Sequence, residues 1–89
     1  MIERLAPVVN PLGLHARAAA RFVHLAGQFT SKIHVGRGTR MVDGKSILGL
    51  LLLAAARGTT LIIRADGPDE AAAVEALAAL TARGFEDPA

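Results

Sequence analysis

Apolar positions change their spacing several times along the chain, and each change predicts an element. Leu5 to Val9 reads as a short extended segment, stopped by Asn10-Pro11, with Pro11 and Gly13 marking a loop. Ala19, Phe22, Val23 and Ala26 then recur at i, i+3, i+4 and i+7. That stripe predicts a helix starting near His15 or Ala16 and stopping at about Gly27. Lys32 to Gly36 alternates polar and apolar with Ile33 and Val35 on one side, as a strand does. Gly36-Arg37-Gly38 is a turn, and Arg40 to Val42 is a short partner strand broken by Asp43-Gly44. Ser46 precedes a second helix over Ile47 to about Leu53. Thr59 to Ala65 is a β-branched run with Leu61 and Ile63 facing one way. Asp66-Gly67-Pro68-Asp69 makes a turn into a last helix from about Glu70 to Arg83, where Ala73, Val74, Leu77 and Ala78 share a stripe and Gly84 closes it.

The order is βαββαβα, with no long parallel crossovers. The expected architecture is α/β, a two-layer open-faced sandwich: a four-stranded antiparallel sheet covered on one face by three helices. No linker or repeat divides the chain, so residues 1–89 are expected to form one domain. Chains this short sit near the limit at which a core alone suffices. With no cysteine, disulfides and thiolate metal sites are excluded, and the core must come from packing.

Charge narrows the function. The net charge is only +2 although the pI is 9.9; eight of the ten basic residues are arginines, spread from Arg4 to Arg83, and there is no Tyr or Cys to titrate between. The high pI is therefore a flat titration curve and not a basic patch, which disfavours a nucleic-acid partner. Ile47 to Ala56, the longest apolar run, is half the roughly 20 residues of a membrane span. Met1-Ile2-Glu3-Arg4 lacks the basic-then-apolar order of a secretory signal. A cytoplasmic monomer is the expectation.

Three local patterns carry chemistry. His15 stands where a loop becomes a helix, in Asn10-Pro11-Leu12-Gly13-Leu14-His15-Ala16-Arg17. The first helical turn has unpaired N–H groups and a partial positive charge, which together hold anions. A phosphoryl group on the His15 ring would face the N–H groups of Ala16 and Arg17, with the Arg17 guanidinium as a fixed planar cation. The alternative is a histidine that merely caps the helix. Ser46 is placed as an N-cap and has the same plain alternative. On a helix, Leu50, Leu53 and Ala54 share one face while Ile47, Leu48, Leu51 and Leu52 lie largely opposite. A short helix buries one face only, so the second set is a candidate partner surface, unless the whole segment is core. His24 and His34 are expected on the surface, Gly36-Arg37-Gly38 lacks the third glycine of a dinucleotide loop, and Asp69-Glu70 is a favourable helix start rather than an acid–base pair. No metal site is suggested.

Gly-Leu-His-Ala-Arg at residues 13–17, Asp43-Gly44-Lys45-Ser46-Ile47-Leu48-Gly49, Arg57-Gly58-Thr59 and Gly67-Pro68-Asp69-Glu70 occur in an order and spacing similar to those of the HPr family. That family is the histidine-containing phosphocarrier of the bacterial phosphoenolpyruvate-dependent phosphotransferase system. The resemblance spans Leu5 to about Phe85. It implies a stoichiometric carrier in a sugar-transport relay, not an enzyme, with no cofactor. It implies His15 as the phosphoryl acceptor, through Nδ1, and Arg17 as its phosphate-stabilising neighbour. It implies enzyme I as donor and IIA-type domains as acceptors. It also implies a docking surface of Ala20, Arg21, Ile47, Leu48, Leu51 and Leu52, and Ser46 as a regulatory site for a kinase/phosphorylase found in some bacteria. One departure stands out: Ala18 follows the arginine where the family usually has proline, so the helix should survive while the His15 loop lacks the rigidity that proline's fixed φ supplies. A regulatory protein of the same fold, acting by binding a transcription factor or kinase, is the competing reading; a purely regulatory relative could dispense with the histidine that this chain keeps. A free-standing catalyst is disfavoured, since no second base accompanies His15. Carbohydrate and nitrogen-related branches use similar carriers and are not separated by these motifs.

Overall fold

The computed structural model describes residues 1–86. Four strands and three helices follow in the order β1 (Ile2–Pro7), α1 (Ala16–Ala26), β2 (Lys32–Arg37), β3 (Arg40–Asp43), α2 (Ile47–Leu52), β4 (Thr60–Asp66) and α3 (Glu70–Ala82). The strands form one antiparallel sheet in the order β1-β4-β2-β3. Alternation decides which face is covered. Ala6, Ile33, Val35, Leu61, Ile63 and Ala65 are buried against Ala19, Phe22 and Ala26 of α1 and Ala73, Val74, Leu77 and Leu80 of α3. The other sheet face is open, and there Glu3, Arg64, His34 and Asp43 pair in one row across all four strands. This is the expected two-layer sandwich.

Three details depart from the pattern-based expectation. The first strand begins at Ile2, not Leu5, and ends at Pro7. Its start is polar because it is held by partners remote in sequence: Glu3 pairs with Arg64 and Arg4 with Glu75 of α3. Ala54 is exposed rather than sharing the buried face of Leu50 and Leu53. The second helix stops at Leu52, and Ala54 turns out of it with φ of +50°. Asp69 is the N-cap of α3, yet its side chain makes no capping bond. It reaches back to the loop before β2 instead, accepting from the N–H groups of Thr30 and Ser31, both at 2.9 Å, and from the Ser31 hydroxyl. Glu70 takes over the terminal role, accepting from Gly67 N–H at 3.2 Å and pairing with the Met1 ammonium at 3.0 Å.

Candidate functional site

The loop before α1 is fastened by its own hydrogen bonds and by one buried side chain. Asn10 Nδ2 donates to the Gly13 carbonyl at 2.8 Å, and Leu14 N–H donates to the Ala55 carbonyl at 2.9 Å. Leu14 is buried and anchors the loop on the core. Gly13, at φ +65°, lies so close to the Ala55 carbonyl that a β-carbon there would collide with it. The His15 loop is thereby tied to the segment that follows α2. Leu12, at the loop's tip, is 76% exposed.

His15 is the N-cap residue of α1, with extended backbone (φ −79°, ψ 178°). Its carbonyl accepts the first intrahelical bond, from Ala19 N–H at 2.8 Å. The N–H groups of Ala16, Arg17 and Ala18 precede that bond and have no acceptor within the helix. The imidazole makes no capping bond, so this histidine is not serving as an ordinary cap. It is half-exposed, in a depression of about 280 Å³ that it shares with Arg17. The Arg17 side chain is exposed and makes no hydrogen bond or ion pair among the described residues. Ala18 is buried, and the helix runs through it without interruption.

The far wall of this depression was not legible in the sequence. It is the turn after α3, Gly84, Phe85 and Glu86. Gly84 and Phe85 both have left-handed backbone, at φ +69° and +64°. Phe85 is buried, and its carbonyl accepts from Arg21 Nη1 at 3.0 Å. Arg21 is thus half-buried and engaged, while Ala20 beside it is exposed. Gly84 was the only signal, and it reads as a helix stop, not as a wall. A second groove, of about 450 Å³ between α1 and α3, includes Arg17, Ala20, His24 and Arg83 in its lining.

On α2 the split between faces is present. Leu50 and Leu53 are buried, whereas Ile47, Leu48, Leu51 and Leu52 are 43, 69, 37 and 58% exposed. Ser46 caps the helix, its Oγ accepting from Gly49 N–H at 3.0 Å, and is half-exposed. Lys45 Nζ donates to the Phe29 carbonyl at 2.7 Å. His24 and His34 are exposed. Among the described residues no cluster of three or more His, Asp or Glu could hold a metal ion, and no helix is long and apolar enough to cross a membrane.

Comparison with known proteins is consistent along the chain. The family pattern described as the PTS HPr component phosphorylation site matches residues 2–83. The phosphocarrier protein HPr of Cupriavidus necator is 48% identical over 85 residues, 96% of each chain. Among solved structures, HPr of Thermoanaerobacter tengcongensis superposes with a TM-score of 0.92 at 37% identity, covering both chains fully. The Bacillus subtilis catabolite-repression protein Crh, in a swapped dimer, gives 0.77 at 38% identity over 98% of this chain and 100% of its own.

Proposed function

The chain belongs to the HPr family of phosphocarrier proteins of the phosphotransferase system, which carry a phosphoryl group and do not catalyse, and from that premise we propose that His15 accepts the group from enzyme I and yields it to a histidine of a IIA-type domain. The observation that carries this reading is His15 at the N-cap of α1, its imidazole making no cap bond while the first helical N–H groups have no acceptor within the helix. In each transfer one P–N bond breaks on the donor histidine and one forms on the acceptor nitrogen. The phosphoryl oxygens of the loaded state would lie against the N–H groups of Ala16, Arg17 and Ala18 and within reach of the Arg17 guanidinium. The backbone N–H groups are fixed by the helix before transfer, so little reorganisation of these donors is needed when charge arrives. The chain is read as a monomer, which light scattering would check against the dimers found in some relatives. Incubation with enzyme I and phosphoenolpyruvate, followed by intact-mass measurement, tests the function. One acid-labile phosphoryl group is expected; none would overturn the reading.

Arg17→Ala should slow transfer about tenfold, the worth of one charge-assisted hydrogen bond near 1.5 kcal/mol. Circular dichroism should be unchanged, because the Arg17 side chain is exposed and makes no hydrogen bond or ion pair among the described residues. Wild-type rates in both directions would show that the backbone N–H groups suffice.

Docking is assigned to Ala20 and Arg21 of α1 and to the exposed Ile47, Leu48, Leu51 and Leu52 of α2. Ser46 lies at the entrance to that helix and is the proposed regulatory site. A phosphate there carries about −1.5 to −2 charges at pH 7. A helix N-terminus tolerates such charge, with about 0.3–1 kcal/mol of stabilisation. An apolar contact does not, because the phosphate brings its hydration shell. Ser46→Asp should therefore melt at or slightly above the wild-type temperature, yet be phosphorylated by enzyme I about tenfold more slowly or worse. A wild-type phosphorylation rate would reduce Ser46 to a cap alone.

A further inference from the structure

The exposed face of α2 is useful for docking only if the helix holds still, and six residues cannot do so alone. Helices this short are unstable in isolation, and their last carbonyls have no intrahelical donors. The N-terminal end is held by Ser46. The C-terminal end is held from outside: Arg40 Nη1 donates to the Leu52 carbonyl at 2.9 Å and Arg37 Nη1 to the Leu53 carbonyl at 3.2 Å. Both cations also complement the negative end of the helix dipole.

The placing of these two arginines breaks a local rule. Arg37 and Arg40 are directly opposite each other across the β2–β3 hairpin, and like charges in that position destabilise a hairpin. A second rule is broken where the helix ends, since Ala54 is a non-glycine residue at φ +50°. Both violations converge on one point, the last turn of α2. Local conflicts that persist together in a fold mark a place where something other than stability is served.

We infer that Arg37 and Arg40 are positioning residues for docking: reaching from the two strands of one hairpin, they fix the C-terminal turn of α2 and so the angle at which Leu48, Leu51 and Leu52 meet a partner. This rests on α2 being the docking face. The residues touch no phosphoryl group, so their effect belongs in the affinity for the donor and not in the transfer step. Each contact is a single N–H to a carbonyl, not a two-pronged fork, so a lysine ammonium can replace it.

The test compares Arg37→Gln/Arg40→Gln with Arg37→Lys/Arg40→Lys, measuring phosphotransfer from enzyme I and amide hydrogen exchange on the same preparations. In the glutamine pair KM for the chain should rise about tenfold with kcat within about twofold of wild type. Exchange should quicken at the Leu53 and Ala54 amides, which bond the Leu50 and Leu51 carbonyls, and not in β2 or β4. The lysine pair should restore both. An unchanged KM in the glutamine pair overturns the inference. So does a raised KM with undisturbed Leu53 and Ala54 amides, which would mean that the charges meet the partner directly. If the glutamine pair does not fold, the single variants Arg37→Gln and Arg40→Gln carry the same readouts. A wild-type chain that accepts no phosphoryl group defeats the carrier reading itself; a working wild type with unaltered variants defeats only the clamp.

Discussion

His15→Ala is expected to abolish phosphorylation by enzyme I and phosphoenolpyruvate completely, with the fold intact. The loss is total because nothing else near the open end of α1 offers a nucleophile. The depression around His15 holds Asn10, Arg17, Arg21 and Glu86, none of which forms a P–N bond that can be passed on. The other histidines lack the setting. His24 is in the last turn of α1, at the end of the dipole that repels an anion. His34 is in the middle of the open sheet face, between Arg64 and Asp43, where the backbone N–H groups belong to strands and no helix N-terminus is at hand to receive phosphoryl oxygens. Stability should stay within about 0.5 kcal/mol, because the His15 ring makes no cap bond to lose. Intact mass and peptide mapping check the first claim and thermal melting the second. Label that survives in His15→Ala, or that maps to His24 or His34, removes the assignment.

Asp69→Asn is expected to cause the largest loss of stability among these variants, without changing how a phosphoryl group is held. Asp69 gathers three donors, from Thr30 and Ser31, and so fastens the loop before β2 to the start of α3. Ser31 is buried, so its hydroxyl has no water to turn to when the carboxylate is weakened. The melting temperature at pH 7 should fall by roughly 5–10 °C, the response of a domain this size to losing charged hydrogen bonds.

The same contacts set a pH dependence. The Ser31 hydroxyl first, then the Thr30 N–H, hold the Asp69 pKa at about 2 against an ordinary 3.8. A carboxylate with a lowered folded pKa binds protons more readily when unfolded. Its contribution is therefore complete above about pH 4 and fades as pH falls toward 2. Glu70, also lowered, by its bond to the Met1 ammonium and by the Gly67 N–H, acts in the same direction. The gap in melting temperature between wild type and Asp69→Asn should thus be constant from pH 7 to about 5 and close between about 4 and 2. A gap that persists unchanged at pH 2 would show that the asparagine disturbs the loop by its shape and not by its lost charge.

Much of the fold was legible because its instructions are local. The three-and-four spacing of Ala19, Phe22 and Ala26 and the alternation of Ile33 with Val35 concern neighbours one or two turns away, and a side chain's face follows from that spacing alone. The split of α2 into buried Leu50 and Leu53 and exposed Ile47, Leu48, Leu51 and Leu52 was readable for the same reason. The place of His15 was readable because Pro11 and Gly13 mark a loop and the apolar stripe from Ala19 marks the helix, and it stands at the N-cap of α1.

Contacts between distant residues were not legible. Asp69 looked like an ordinary helix start, and only folding brings it to Ser31, 38 positions away. Phe85 became a wall of the His15 depression because Arg21, 64 positions earlier, holds its carbonyl. Arg37 and Arg40 read as scattered surface charge until the hairpin carried them to the end of α2. Periodicity tells which side of an element is apolar, but not which element its polar ends will meet. The sequence alone marked most of the elements, their apolar faces and a candidate histidine at the start of α1. The tertiary structure decided what holds each of them in place, because those partners are chosen by proximity in the packed molecule and leave no repeating mark along the chain.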